Sequence, residues 1–170
     1  MVGDYTHYGV FIDDWKRADS MTAKKSMTKQ SNAKFRTGPS IVRARNPGSE
    51  RLVERARRLC LALPDANEKV SHGEPTWFAG AGKVFAMIDD HHHGSPHLSL
   101  WLTAPAGAQQ ALIASGPGRY FRPPYVGARG WIGVVLDTKP DWRTVAALVE
   151  EAYRHVASRR LIARLDAGAD

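Results

Sequence analysis

The sequence predicts an α+β domain in which helices pack on one face of an antiparallel sheet. Apolar residues recur at helical spacing in separate segments, and short alternating apolar stretches bounded by turn residues lie between them. The order is a helix, three strands, a helix, one or two further strands and a final helix. Strands that follow one another can pair as neighbours, and the helices can then share one face.

The first helix is predicted in the segment PGSERLVERARRLCLALP. Ser49 is the expected N-cap, and Pro64 is expected to stop the helix. Glu50 and Glu54 suit the positive end of the helix dipole. The single cysteine, Cys60, is expected to be a packed small residue and not a nucleophile, because no activating group lies near it. The apolar face consists of Leu52, Ala56, Leu59 and Leu63.

Three strands are predicted after Pro64, in PTWFAG, KVFAMID and HLSLWLT, and the glycines of GAGK suit a tight hairpin between the first two. A short second helix follows, with Thr103 as its cap and Gly116 at its end. Residues 131–136 form the next strand. One long helix closes the chain and begins at a cap that includes Asp141.

The composition is that of one globular domain, with 170 residues, 43% apolar and 24% charged. A single cysteine excludes an internal disulfide and multi-cysteine metal sites, and it is compatible with a reducing cytosol. No apolar run approaches the roughly 20 residues of a transmembrane helix, and no signal-peptide segment is present. We therefore expect a cytoplasmic protein with no membrane partner.

The net charge of +7 is concentrated in the first third of the chain. Residues 1–60 carry 13 basic and 6 acidic residues, so the remainder is formally neutral. Residues 1–47 are polar and lack an apolar period, which predicts a disordered basic leader. The domain is expected at residues 48–166, with a tail at residues 167–170.

Two groups of arginines are candidate nucleic-acid contacts. In the first helix, Arg51, Arg55 and Arg58 recur opposite the apolar face, where guanidinium groups can follow phosphates. A solvated face partly paired with Glu54 is the alternative. In YFRPPYVGARG, arginines interleave with rings that either stack on bases or cover the open edge of the sheet. The arginines of this second group are Arg119, Arg122 and Arg129.

The stretch DDHHHGSPH places four histidines beside two carboxylates, which are zinc-type ligands. An ordinary turn between two strands explains the same Asp, Gly, Ser and Pro residues. Mobile ligands must also be ordered before they bind, so native metal binding is disfavoured. The weak candidate ligands are Asp89, His91, His93 and His97.

A small-ligand pocket is the alternative function. His72 and Glu74 lie two residues apart in SHGEP, and on an extended segment both side chains can share one side. Trp77, Tyr125 and Trp131 are the candidate aromatic residues of the same pocket. A simple turn before the next strand is the competing interpretation. No nucleophile signature or cofactor loop accompanies these residues, so we expect no cofactor and disfavour an enzyme.

Four segments carry a family resemblance: SERLVERARRLCLALPDANEKVSHGEPTWFAGAGKVFAMI, HLSLWL, YFRPPYVGARGWIGVVLD and VEEAYRHVASRRL. They cover about residues 49–165 and include the LP after the first helix, the GKVFA strand and the AYRHVA segment of the final helix. Through them the chain resembles the MmcQ/YjbR family. The resemblance implies a frataxin-like CyaY fold and DNA binding, which is how members are commonly described.

The likeness to frataxins raises iron handling as a rival function. Frataxins use an acidic ridge on and after the first helix, whereas ERLVERARR is basic here, so iron delivery is disfavoured. We expect a DNA-binding protein that contacts mainly phosphates, with weak sequence preference, and a monomer is favoured. The alternatives are a small-ligand or metal-binding domain and an enzyme of a type that the sequence does not reveal.

Overall fold

The computed structural model describes residues 45–92 and 95–168. The predicted disordered leader therefore lies, for residues 1–44, outside the described residues, and so do residues 169–170 of the predicted tail. The helices in the described part are α1 Pro47–Leu61, α2 Ala108–Ser115, α3 Trp142–Val156 and α4 Arg159–Ala167. The strands are β1 Ala66–Ser71, β2 Glu74–Ala79, β3 Val84–Asp90, β4 Leu98–Leu102, β5 Tyr120–Phe121 and β6 Ile132–Val135.

The strands form one antiparallel sheet in the order β1-β2-β3-β4-β6-β5. Helix α1 packs on β1 and β3, α3 packs on β3 and β4, and α2 lies against β5. A short 3₁₀ helix, Gly127–Arg129, connects β5 to β6. The predicted α+β class is confirmed, and the likeness to CyaY stays a prediction.

The hydrophobic core lies between one face of the sheet and the helices. Ile88 of β3 pairs with Leu100 of β4, which pairs with Val134 of β6. Residues paired directly across antiparallel strands point to the same face. These three side chains are buried in one cluster with Val53 of α1 and Val149 of α3. The expected packing of helices on one face is therefore confirmed.

Two predicted helix caps were wrong. The N-cap of α1 is Asn46, whose side-chain oxygen accepts a hydrogen bond from the backbone N–H of Ser49 at 2.9 Å. The second helix begins only after Gly107, which adopts a positive φ. Thr103 instead follows β4, and its hydroxyl donates to the carbonyl of Ala152 at 3.0 Å. A buried hydroxyl needs such a partner, and α3 supplies it.

The final helix was predicted as one unit and is two. Ala157 is extended, and Ser158 caps α4 by accepting from the backbone N–H of Leu161 at 3.4 Å. Asp141 caps α3, as predicted, by accepting from the N–H of Arg143 at 3.0 Å. Strand β1 was not predicted, because ANEKVS carries no clear apolar alternation. No helix within the described ranges combines the length and apolar character required to cross a bilayer.

Candidate functional site

The arginines of α1 lie on its outer side. Arg51, Arg55 and Arg58 are exposed, and none of them forms an ion pair with a carboxylate in the described part of the chain. The partner of Glu54 is instead Arg57, which also bonds Glu68. These hydrogen bonds, the one to Glu68 above all, raise the pKa of Arg57. We call Arg51, Arg55 and Arg58 the helix stripe.

In the second group, Arg119 and Arg122 flank β5, and Arg129 ends the 3₁₀ helix whose first residue, Gly127, lies against Arg122. Arg119, Arg122 and Arg129 are exposed, and no carboxylate within the described ranges pairs with them. Tyr125 is 78% exposed beside them. Phe121 is partly exposed on the strand itself. We name this set of cationic and aromatic side chains the β5 edge surface, and it consists of Arg119, Phe121, Arg122, Tyr125 and Arg129.

The helix stripe and the β5 edge surface lie at opposite sides of the molecule. Helix α1 packs over β1, which is one edge of the sheet, and β5 is the other edge. Arg55 is also engaged, because its guanidinium lies 4.5 Å from the ring centroid of Trp142. The structure therefore does not bring the six candidate arginines together into one surface.

A cleft of about 500 Å³ opens beside β5. Its volume falls in the range typical of ligand pockets, roughly 300–1,000 Å³. None of the residues that line it is acidic. The lining residues with an imidazole, aromatic or guanidinium side chain are His97, Tyr120, Phe121 and Arg122.

Phe121 and Arg122, which line this cleft, each pack against a glycine. A Cβ atom on Gly133 would lie 2.4 Å from Cζ of Phe121, so the ring lies directly against the backbone of β6. A Cβ atom on Gly127 would lie 2.4 Å from Cγ of Arg122, so the aliphatic stem of Arg122 lies on the 3₁₀ helix. The buried amide of Gln109 fixes that helix by donating to the carbonyl of Gly127 at 2.8 Å.

The residues of the alternative pocket are separated in the structure. Trp77 is fully buried and donates its indole N–H to Glu68 at 2.9 Å. Trp131 precedes β6 at the end of the sheet where Ile132 pairs with Leu102. His72 lies in the β1–β2 turn, at the other end of the strands and on the far side of the sheet. The exposed Tyr125 belongs to the β5 edge surface. The exposed His72 contacts Ser71, whereas the buried Glu74 contacts Arg45, so the structure does not gather the five residues into one pocket.

Glu74 belongs to a buried ionic cluster that the sequence analysis did not find. Its carboxylate bonds the guanidinium of Arg45, and the two side chains are 5% and 1% exposed. The Nε atom of Arg45 lies 3.4 Å from an oxygen of Asp90, and its Nη1 atom lies 3.7 Å from Glu50. Buried carboxylates need a cationic partner. The only local signal was that Glu74 and Asp90 stand directly next to the predicted strands PTWFAG and KVFAMID.

The histidine loop contacts carboxylates, two of which belong to the buried ionic cluster. His92 Nδ1 lies 3.5 Å from Glu74, and His91 Nε2 lies 4.0 Å from Asp137. His91 Nδ1 lies 2.6 Å from Asp90, and His97 Nδ1 lies 3.1 Å from Asp137. Asp89 is buried on β3 at 2% exposure. His93 lies outside the described residues. Among the residues that the structure describes, no three His, Cys, Asp or Glu side chains are grouped as ligands of a metal ion.

Cys60 lies on the buried side of α1 and is 0% exposed. Burial raises the pKa of the Cys60 thiol, so the thiolate required of a nucleophile is disfavoured. The buried position of Cys60 agrees with the expectation that it is a packed small residue.

The match to a known family agrees with the fold. A family model described as YjbR matches residues 61–155, which is more than half of the chain. The chain belongs to the YjbR family. The predicted MmcQ/YjbR resemblance is therefore confirmed. No curated protein and no solved structure gives a match. In this YjbR-family chain the matched residues run from the end of α1 to α3 and include all six strands, the cleft and the β5 edge surface.

Proposed function

We propose that this YjbR-family chain binds DNA through the β5 edge surface, mainly by phosphate contacts and with weak sequence preference. The supporting observation is that Arg119, Arg122 and Arg129 are exposed without a carboxylate partner within the described ranges. Two other arginines, Arg57 and Arg154, pair with carboxylates. A guanidinium that already holds carboxylates has fewer free N–H donors and less uncompensated charge to offer a phosphate.

The β5 edge surface is favoured over the helix stripe for two reasons. It combines three guanidinium groups with the rings of Phe121 and Tyr125, and this mixture suits both phosphates and bases. The helix stripe itself consists of cations, and the guanidinium of Arg55 lies 4.5 Å from the centroid of the neighbouring Trp142 ring. On the β5 edge surface Arg119 makes a longer contact of this kind, 5.8 Å from the ring of Tyr120. Because the two surfaces lie at opposite sides, one straight duplex contacts one of them at a time.

No structural feature of the β5 edge surface predicts recognition of a base sequence. The described helices there are short, and α2 has only 8 residues and no basic residue. Specific recognition commonly uses a helix or a ribbon in the major groove, with side chains that reach base edges. Phosphate contacts position a protein on DNA without conveying sequence. We therefore expect similar affinities for unrelated sequences.

The experiment is a fluorescence anisotropy titration of the full chain with two duplexes of unrelated sequence at several salt concentrations. We expect similar dissociation constants for both duplexes and a linear fall of log K with log salt. A slope near zero, or a strong preference for one duplex, would contradict a phosphate-dominated mode. Absence of binding to both duplexes and to a single strand at low salt would overturn DNA binding itself.

A further inference from the structure

We propose that the cleft beside β5 receives one unstacked nucleobase, so that the chain binds single-stranded DNA more tightly than duplex DNA. This inference rests on the proposed function and names the form of DNA that the same site prefers. Its basis is the placement of Phe121 and Arg122 at one cleft of about 500 Å³.

The ring of Phe121 is a fixed stacking platform. It lies against the backbone of Gly133, where any side chain would overlap it, and so one ring face is covered by β6. The side chain is partly exposed and lines the cleft, so the remaining surface is available to a ligand. Stacking of a base on an aromatic ring tolerates any base, because every base has a π-face.

Arg122 supplies the charge at the same cleft. Its stem lies on Gly127, which is held in place by Gln109 from α2. No carboxylate within the described ranges pairs with its guanidinium, and no acidic residue lines the cleft. A ring and a guanidinium on consecutive residues of the chain are suited to a base and its neighbouring phosphate.

A base in a duplex cannot enter this cleft. Its faces are covered by neighbouring bases, and only its edges can be reached from the grooves. A protein that stacks a base on a side chain must therefore bind a single strand or extrude the base at an energetic cost. The cleft adds affinity for a single strand only, whereas the surrounding arginines attract both forms.

The first test compares an oligodeoxythymidine strand with a hairpin duplex, using the full chain and its Phe121→Leu variant. Leucine keeps an apolar side chain and removes the aromatic face. We expect the variant to lose affinity for the single strand by on the order of tenfold, while its affinity for the duplex changes much less. The matched control is Phe78→Leu, because Phe78 is a partly exposed phenylalanine on β2, near the opposite edge of the sheet.

Two outcomes would overturn the inference and leave DNA binding intact. One is an equal loss of affinity for the single strand and the duplex. The other is an unchanged affinity for the single strand in a Phe121→Leu variant that has the melting temperature of the parent.

A second measurement does not depend on any variant. We expect thymidine monophosphate to shift the backbone amide resonances of Phe121, Arg122 and Gly133 in the ¹⁵N-labelled full chain. Shifts there without binding of any DNA would overturn the proposed function but support a nucleotide site in the cleft. Absence of these shifts at millimolar nucleotide would overturn the cleft assignment.

Discussion

The guanidinium of Arg45 bonds the carboxylate of Glu74, and both side chains are almost entirely buried. Asp90 lies within 3.4 Å of the same guanidinium. The guanidinium therefore joins Arg45, two residues before α1, to the first residue of β2 and the last residue of β3.

Replacement of Arg45 by Met should destabilise the fold by about 3–5 kcal/mol. It removes the guanidinium that compensates the buried carboxylates of Glu74 and Asp90, which then keep contacts to histidines. Urea unfolding followed by tryptophan fluorescence measures the loss. The control is Arg143→Met, which removes an exposed arginine and should change stability by less than about 0.5 kcal/mol. Equal effects of the two substitutions would show that the cluster does not stabilise the folded state.

The contact between Phe121 and Gly133 gives a second prediction. Gly133→Ala places a Cβ atom within 2.4 Å of the ring and should cost about 1–3 kcal/mol through overpacking. The double variant Phe121→Ala/Gly133→Ala removes the overlap, so it should be more stable than the sum of the two single effects predicts. Additive free energies of unfolding would contradict the contact.

Glu68 accepts hydrogen bonds from two side chains, and the third prediction concerns its loss. Trp77 donates at 2.9 Å and Arg57 at 2.8 Å. Glu68→Leu leaves the indole N–H of a fully buried tryptophan without its acceptor, which should cost about 1–3 kcal/mol. Glu68→Gln keeps an acceptor for the indole and should cost less. The prediction fails if Glu68→Leu is as stable in urea as Glu68→Gln.

The N-cap of α3 gives a pH dependence. A hydrogen bond from the Thr144 hydroxyl, aided by the backbone N–H of Arg143, holds the pKa of Asp141 below its ordinary value of 3.8. Because the folded pKa is depressed, this contribution to stability is fully present well above pH 3.8 and is lost as the pH falls through the folded pKa.

Asp141→Asn keeps a capping oxygen but does not titrate. Its stability relative to the parent should therefore improve when urea unfolding is moved from pH 7 to pH 2.5. Asp141→Ala removes the cap altogether and should cost about 1 kcal/mol at pH 7. A constant stability difference between parent and Asp141→Asn at both pH values would refute the titrating cap.

The sequence could predict features that depend on local patterns. The apolar period of α1 and α3, the glycines between β2 and β3 and the exposure of the arginines all follow from neighbours within a few residues. Strand β1 escaped prediction because Glu68 and Lys69 interrupt any apolar alternation, and its place is fixed by pairing with β2. The break before α4 had a local signal, because Ser158 is a good N-cap residue. We predicted one continuous helix because the apolar period continues past Ser158.

The candidate site depended on long-range pairing and could be predicted only in part. The order β4-β6-β5 brings Phe121 onto Gly133 and places β5 at the edge opposite α1. No local pattern in the sequence specifies that order. The cluster around Arg45 joins residues as far as 45 positions apart in the sequence, Arg45 and Asp90. The sequence indicated it only indirectly, because a buried carboxylate requires a partner.

The measurement that tests the account most directly compares two charge-matched triple variants of the full chain in DNA binding. One replaces Arg119, Arg122 and Arg129 by Gln, and the other makes the same change at Arg51, Arg55 and Arg58. We predict that the variant at Arg119, Arg122 and Arg129 binds the duplex at least about tenfold more weakly than the parent. Its slope of log K against log salt should fall in magnitude by about 0.9 for each lost phosphate contact. The helix variant, changed at the other three arginines, should keep an affinity and a slope near those of the parent. Equal weakening by both variants, or weakening by the helix variant alone, would contradict binding through the β5 edge surface.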